Sequence, residues 1–318
     1  MGSEFSDVRS VVRWRCDLFE YAGVDSFESL GLLKNGLHTI YESGLPIDLY
    51  VDINPGKPLV VFFNGAAPRS DSLKLPIFAG FGVLPASKDV SRLCINDPSL
   101  YLDSGLPLAW YAGSENLDLQ KLLPRIIDLV VSKAEAESVV FVGGSGGGFA
   151  ALYYSRYYEG SLALVWNPQT DILKYAPHHV ENYAKTAFGL GCIDDARAVL
   201  PVKVHSSLCD LYRVDRSSNL IIYMQNESDW HFKVHCEPFI DVLCQSKVSS
   251  PSSGMLSDKF YFHVGSWGVG HQQVPGPVLK YILSELIKLP GDWRELFDGG
   301  GLESLLQKAE QQVLNVTG

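Results

Sequence analysis

The chain has 318 residues, 46% of them apolar and 19% charged, which suits one large domain or two small ones and excludes a disordered protein. A net charge of −10 and a pI near 5.3 argue against nucleic acid or an anionic membrane surface as the main partner. No secretory leader and no apolar run of the ~18 residues that span a bilayer are visible, and six scattered cysteines without a C-x-x-C read as free thiols in a reducing compartment, so a cytoplasmic location is expected.

Met1 to Phe5, MGSEF, reads as a vector scar, followed by one domain over 6–290 and a helical tail over 291–318. Ser6 to about Leu33 suggests a mixed helical lead-in. Ile47, Leu49, Val51 and Ile53 alternate with Asp48, Tyr50 and Asp52. With Leu37–Glu42 and Ser43-Gly44 before them, they predict an amphipathic β-hairpin at a sheet edge. Leu59–Phe63 is fully apolar and suits a buried strand that ends in Asn64-Gly65-Ala66-Ala67. Leu93–Asn96 predicts a short strand, with Tyr101, Trp110 and Tyr111 in the loop beyond. Ser114 is expected to cap a helix whose apolar positions Leu119, Leu122, Leu123, Ile126, Ile127, Val130 and Val131 recur at helical spacing, with Pro124 kinking it.

The most informative stretch is Ser138 to Leu152, SVVFVGGSGGGFAAL. Val139–Val142 are too few for a helix and suit a strand buried on both faces; glycines and good helix formers follow. Ser145 then stands at a strand-to-helix turn, with glycine two places before it (Gly143) and two places after (Gly147). Such a turn forces the serine backbone into strain and brings strand and helix so close that side chains at those two places would collide. A rival reading uses Gly146, Gly148 and Ala151 as the dinucleotide fingerprint G-x-G-x-x-A. That fingerprint wants an acid at the end of the next strand, but Leu162–Trp166 ends in Asn167-Pro168. The Ser145 turn resembles the nucleophile elbow of the α/β-hydrolase superfamily. The resemblance implies a mostly parallel central sheet flanked by helices. It also implies that the Ala66 amide, after the Leu59–Phe63 strand, joins that of Gly146 as an oxyanion donor.

Asp171–Ser218 is long and helical in patches (Val180–Phe188, Ile193–Leu200), and the resemblance makes about 171–218 a helical cap insertion. Leu220–Met224 predicts a strand left by Gln225-Asn226-Glu227-Ser228-Asp229, where similar hydrolases carry G-x-x-D; Asp229 falls on the acid, with Asn226 in place of the glycine. Glu227 and Asp171 respect the same chain order. Val234–Leu243 predicts a helix, Phe260–Val264 the last strand, and Pro277–Ile287 a closing helix. His271, in the glycine-rich loop after the last strand, is the expected base, ahead of His263 inside it. His231 and His235, four apart beside Asp229, could suggest a metal, but an H-x-x-x-H without a glutamate between usually lies at the surface, and neither metal nor cofactor is expected. His178-His179 are expected to face solvent, with contact of one of them with substrate as the alternative. Trp230, Trp267 and Asn64 are candidate substrate contacts. Gly299-Gly300-Gly301 precedes an amphipathic tail helix (Leu302, Leu305, Leu306, Ala309, Val313) that either packs back or forms a dimer.

The order Ser145, Asp229, His271 matches the superfamily's Ser…Asp…His. A serine hydroxyl becomes nucleophilic when a base takes its proton, an imidazole titrates near neutrality, and a carboxylate fixes the imidazole's tautomer. The expectation is a serine hydrolase cleaving a carboxylic ester or thioester through an acyl-enzyme. Two alternatives stand beside it. An O-acyltransferase would pass an acetyl group to a saccharide hydroxyl, since GGSGGGFAAL with NPQTD (Asn167–Asp171) resembles bacterial proteins of surface-polysaccharide assembly. A non-catalytic relative would serve as a scaffold. The expected partner is a small-molecule or saccharide ester.

Overall fold

A computed structural model describes residues 5, 7–70, 72–214, 218–289 and 293–317, with side chains described to residue 312. Met1–Glu4 of the expected vector scar, and Val313 of the tail stripe as a side chain, lie outside the described residues; Phe5 packs edge-on against Tyr101, ring centroids 5.5 Å apart. Ten strands form one sheet: β1 (Leu18–Tyr21), β2 (Gly36–Glu42), β3 (Leu45–Asp52), β4 (Leu59–Phe63), β5 (Ser91–Ile95), β6 (Val139–Gly144), β7 (Leu162–Trp166), β8 (Leu220–Asn226), β9 (Gly254–Ser257) and β10 (Phe260–Gly265). Their spatial order is β1-β2-β3-β5-β4-β6-β7-β8-β10-β9. From β5 across to β10 every pair is parallel, and β3 and β9 run antiparallel to their neighbours.

Strict alternation explains why both faces are buried. In β4, Leu59, Val61 and Phe63 join one apolar cluster while Val60 and Phe62 join the other; β6 divides Val139 and Phe141 from Val140 and Val142 in the same way. Helices Leu119–Lys133 and Gly146–Ser155 cover the first face. Helices Gly276–Leu286 and Gly301–Thr317 cover the second, where Leu302, Leu305, Leu306 and Ala309 of the tail are buried. The tail stripe therefore packs back onto its own chain.

Several expectations need correction. The lead-in contributes β1, which pairs with β2, so the β2–β3 hairpin is not the edge of the sheet. Its turn is as expected, with Ser43 and Gly44 both at positive φ. Asp48 is buried rather than solvent-facing, because Arg9 reaches it with two bonds (2.7 and 3.1 Å) while Thr39 and Tyr101 donate to it as well. Asp118, not Ser114, caps the helix, accepting from the Lys121 amide; the helix runs through Pro124 as one element. Edge strand β9, with Ser257 and Met255 paired to β10, has no apolar run to announce it. The predicted Val234–Leu243 helix begins as a π-helical turn, Phe232–Cys236, and continues as Glu237–Cys244. Of the six thiols only Cys94, Cys209 and Cys236 are buried; Cys16 and Cys192 are exposed.

Candidate active site

The site lies at the carboxyl ends of β4, β6, β7, β8 and β10, where a parallel sheet splays its loops apart. Ser145 joins β6 to helix Gly146–Ser155 with φ 54° and ψ −122°, a region L-residues rarely occupy. The flanking glycines are required by contact. A Cβ on Gly143 would sit 2.2 Å from the Gly147 carbonyl oxygen, and one on Gly147 would sit 2.6 Å from that of Phe63. Strand, helix and the β4 loop thus meet backbone to backbone around the serine. The Ser145 carbonyl accepts from the amides of Gly148, Phe149 and Gln169, which anchors the turn. The amides of Gly146 and Ala66 have no hydrogen-bond partner among the described residues, so both stand free to receive an anion.

The residues expected as acid and base lie on separate loops. Asp229, buried after β8, accepts from His271 Nδ1 at 2.6 Å through Oδ2, and from His231 Nδ1 at 2.7 Å and the His231 amide at 3.0 Å through Oδ1. Burial alone would push its carboxyl pKa up; the bonds from His231 and His271 overcome this and hold it well below the usual carboxylate range. The competing acids are elsewhere: Glu227 accepts from Ser266, and Asp171 caps the turn Ile172–Lys174 and pairs with Lys174. His263 pairs with Glu310 of the tail helix.

His231 and His235 are fully buried, contrary to the surface placement expected of them. Rings of His271, His231 and His235 stack in sequence, with centroids 4.2 and 5.0 Å apart. Burial lowers the pKa of both inner imidazoles, that of His235 to about 3, so both are neutral at pH 7. Asp229, His231 and His271 each present one ligand atom within 4.8 Å of the others. In this arrangement both imidazoles direct Nδ1 to the carboxylate.

Ser145 and His271 line one cavity of about 370 Å³ with Asn64, Gly65, Ala66, Trp166, Tyr175 and Gln273. No hydrogen bond joins Ser145 to His271; the serine Oγ instead accepts from Gln169 Nε2 at 3.0 Å. A larger cavity of about 800 Å³, lined in part by Tyr212, Asp241 and Lys259, contains none of these groups. Of the expected substrate contacts, Asn64 lines the site. Trp230 lies beside it, 45% exposed and stacked on Tyr175 (5.7 Å), and Trp267 is turned toward His263 (6.3 Å). His178 is exposed and His179 half-buried against Tyr175. Among the described residues of the 171–218 insertion, whose helices are Pro177–Phe188, Ile193–Lys203 and Leu208–Val214, Tyr175 alone lines the cavity.

The loop after β7 holds residues that sequence reasoning did not place. Asn167, at φ 42°, accepts from the Asn226 amide (2.7 Å) and Gln225 (3.1 Å) and donates to the Gln272 carbonyl (2.6 Å), tying the loop after β8 to the loop after β10. Pro168 packs where a Cβ on Gly148 would fall. Gln169 reaches the serine, and Thr170 bonds His235 through both its amide and its hydroxyl. At the level of sequence NPQTD carries only a likeness; its position directly after a buried strand is the signal that could have found these residues.

The strand order and the placement of these loops define an α/β-hydrolase fold. No family model matches the chain, and no curated protein matches its sequence. Among solved structures, the capsule O-acetyltransferase of Neisseria meningitidis serogroup A aligns with a TM-score of 0.57 at 13% identity, over 77% of this chain and 95% of that one. An S-formylglutathione hydrolase from Agrobacterium tumefaciens aligns at 0.52 and 11% identity, over 81% and 92%. A glycosylation-associated protein complex from Streptococcus agalactiae aligns at 0.53 and 14% identity, over 79% and 46%.

Proposed function

We propose that the chain is a serine acyl-transfer enzyme acting on a carboxylic ester or thioester. Ser145 Oγ attacks the carbonyl carbon while His271 Nε2 takes its proton, and Asp229 holds His271 in the Nδ1–H tautomer and steadies the imidazolium. The amides of Gly146 and Ala66 bind the oxyanion, each worth about 3–4 kcal/mol of transition-state stabilisation where such donors have been removed. His271 then returns the proton to the leaving group, and water resolves the acyl-enzyme. The observation carrying this reading is the 2.6 Å bond from His271 to a buried carboxylate, at an imidazole that shares a cavity with a serine on a strained turn.

A second reading, transfer of the acyl group to a saccharide hydroxyl, is favoured by two observations. The exposed Trp230 stacked on the cavity-lining Tyr175 offers an aromatic platform of the kind a sugar face covers. The capsule O-acetyltransferase is matched over nearly its whole length. A fluorophosphonate probe should label the protein at Ser145 and leave Ser145→Ala unlabelled. A wild type that also stays unlabelled favours the scaffold over the enzyme. Release of p-nitrophenol from a short-chain ester, compared with and without a saccharide acceptor, separates hydrolysis from transfer.

A further inference from the structure

We infer that the Gln169 carboxamide is a further catalytic group, donating a hydrogen bond to the nucleophilic oxygen itself; the inference rests on reading Ser145 as the nucleophile. Gln169 is completely buried, and its amide orientation is dictated by its surroundings. The indole N–H of Trp110, also buried, donates to Gln169 Oε1. An indole can only donate, so the oxygen must face Trp110 and the NH₂ must face Ser145 Oγ, which it reaches at 3.0 Å. Tyr175 also interacts with this carboxamide, and the Gln169 main-chain amide bonds the Ser145 carbonyl at 3.1 Å. The side chain is thus held at both ends against the reacting residue.

A donor so placed acts when Oγ carries charge. In acylation the Oγ–carbon bond forms as the proton passes from Oγ to His271, and the carbonyl electron pair moves to the oxygen held by Gly146 and Ala66. In the second half, water or an acceptor hydroxyl gives its proton to His271 and attacks; Oγ then leaves with the bonding pair and recovers the proton from His271. Gln169 neither gives nor takes a proton. It stabilises the charge on Oγ at the start of the first step and at the end of the second, and in between it keeps the side chain pointing into the cavity.

Gln169→Glu tests this with almost no change of shape. The carboxylate keeps its bond from Trp110 but turns an acceptor toward Ser145, so the hydroxyl proton is drawn away from His271. The rate of fluorophosphonate labelling at pH 8 should fall about 100-fold, in the range found when a single donor to a reacting oxygen is removed. The deficit should narrow toward pH 6, where the introduced carboxyl, once protonated, can donate again; a merely structural role would show no such recovery. Gln169→Leu, which adds no charge, should label at least about tenfold more slowly. It decides the matter if the glutamate variant does not melt cooperatively. Labelling of either folded variant at the wild-type rate overturns the role of Gln169 and leaves Ser145 as nucleophile. A wild type that does not label overturns both.

Discussion

The two walls of the cavity are held by different physics. On one side, Ser145 is fixed by main chain: glycines that admit no Cβ, carbonyls in contact, and amides converging on the Ser145 carbonyl. On the imidazole side, His271 is fixed by side-chain charge: one buried carboxylate receives three donors, with two neutral imidazoles stacked behind it. The first wall should be indifferent to pH and intolerant of a single added methyl group. The second should accept changes of volume more readily and fail when protons are added or withdrawn.

Asp229→Asn should have the largest effect. Two of the three donors, both from His231, converge on Oδ1, so an asparagine would place its carbonyl oxygen there and turn its NH₂ toward His271 Nδ1. His271 would then carry its proton on Nε2 and could not accept one from Ser145. A fall in kcat of about 10⁴ is expected, as for loss of the orienting acid in serine proteases. A loss under tenfold would mean that His271 does not depend on Asp229. Gly143→Ala comes next and acts through stability. With the Gly147 oxygen 2.2 Å from the new methyl, strand and helix must separate, at a cost of about 3 kcal/mol or more in urea unfolding at any pH. An alanine variant as stable as wild type would show that the turn is not set by that contact.

The same division explains what was legible beforehand. The Ser145 turn was readable because steric exclusion writes itself as glycine at fixed places, and the six-residue span Gly143–Gly148 follows an unmistakable apolar strand. The central strands β4, β6, β7 and β8 were readable because burial on both faces leaves continuous apolar runs. Strands β1 and β9 were not, being four-residue edge strands with few buried side chains. His235, Asn167 and Gln169 were missed for another reason: each is a polar residue made acceptable in the interior by partners far away in sequence, whereas the bond that holds His231 goes to Asp229, two positions away. Gln169 meets Trp110 59 positions earlier, and Asn167 meets Gln272 105 positions later. No local pattern encodes such a bond. The misplaced Asp48 belongs to the same class, since Arg9 and Tyr101, 39 and 53 positions away, are among the partners that explain its burial.

The mildest test concerns the inner imidazoles and sets the pH at which the second wall fails. His231 and His235 have folded-state pKa values below the ordinary 6.5, because burial penalises the cation. Their contribution to stability is therefore complete above about pH 6.5 and declines as the pH falls, since the unfolded chain takes up protons that the folded one refuses. For His235 the cost should be about 1.4 kcal/mol per pH unit below that point, and His231 adds to it in the same direction. For His235 the decline continues toward its folded value of about 3. Asp229, with its pKa depressed, adds to the loss in the same direction only below about pH 4. His235→Asn offers an oxygen near the position of Nδ1, which accepts from the Thr170 amide, and removes one titrating group. The variant should lose less than wild type between pH 7 and pH 5.5, a difference of about 1 kcal/mol read from urea midpoints. Parallel pH curves for the two proteins would show that His235 is not held neutral, and acid sensitivity would then have to arise from His231 or from outside the stack.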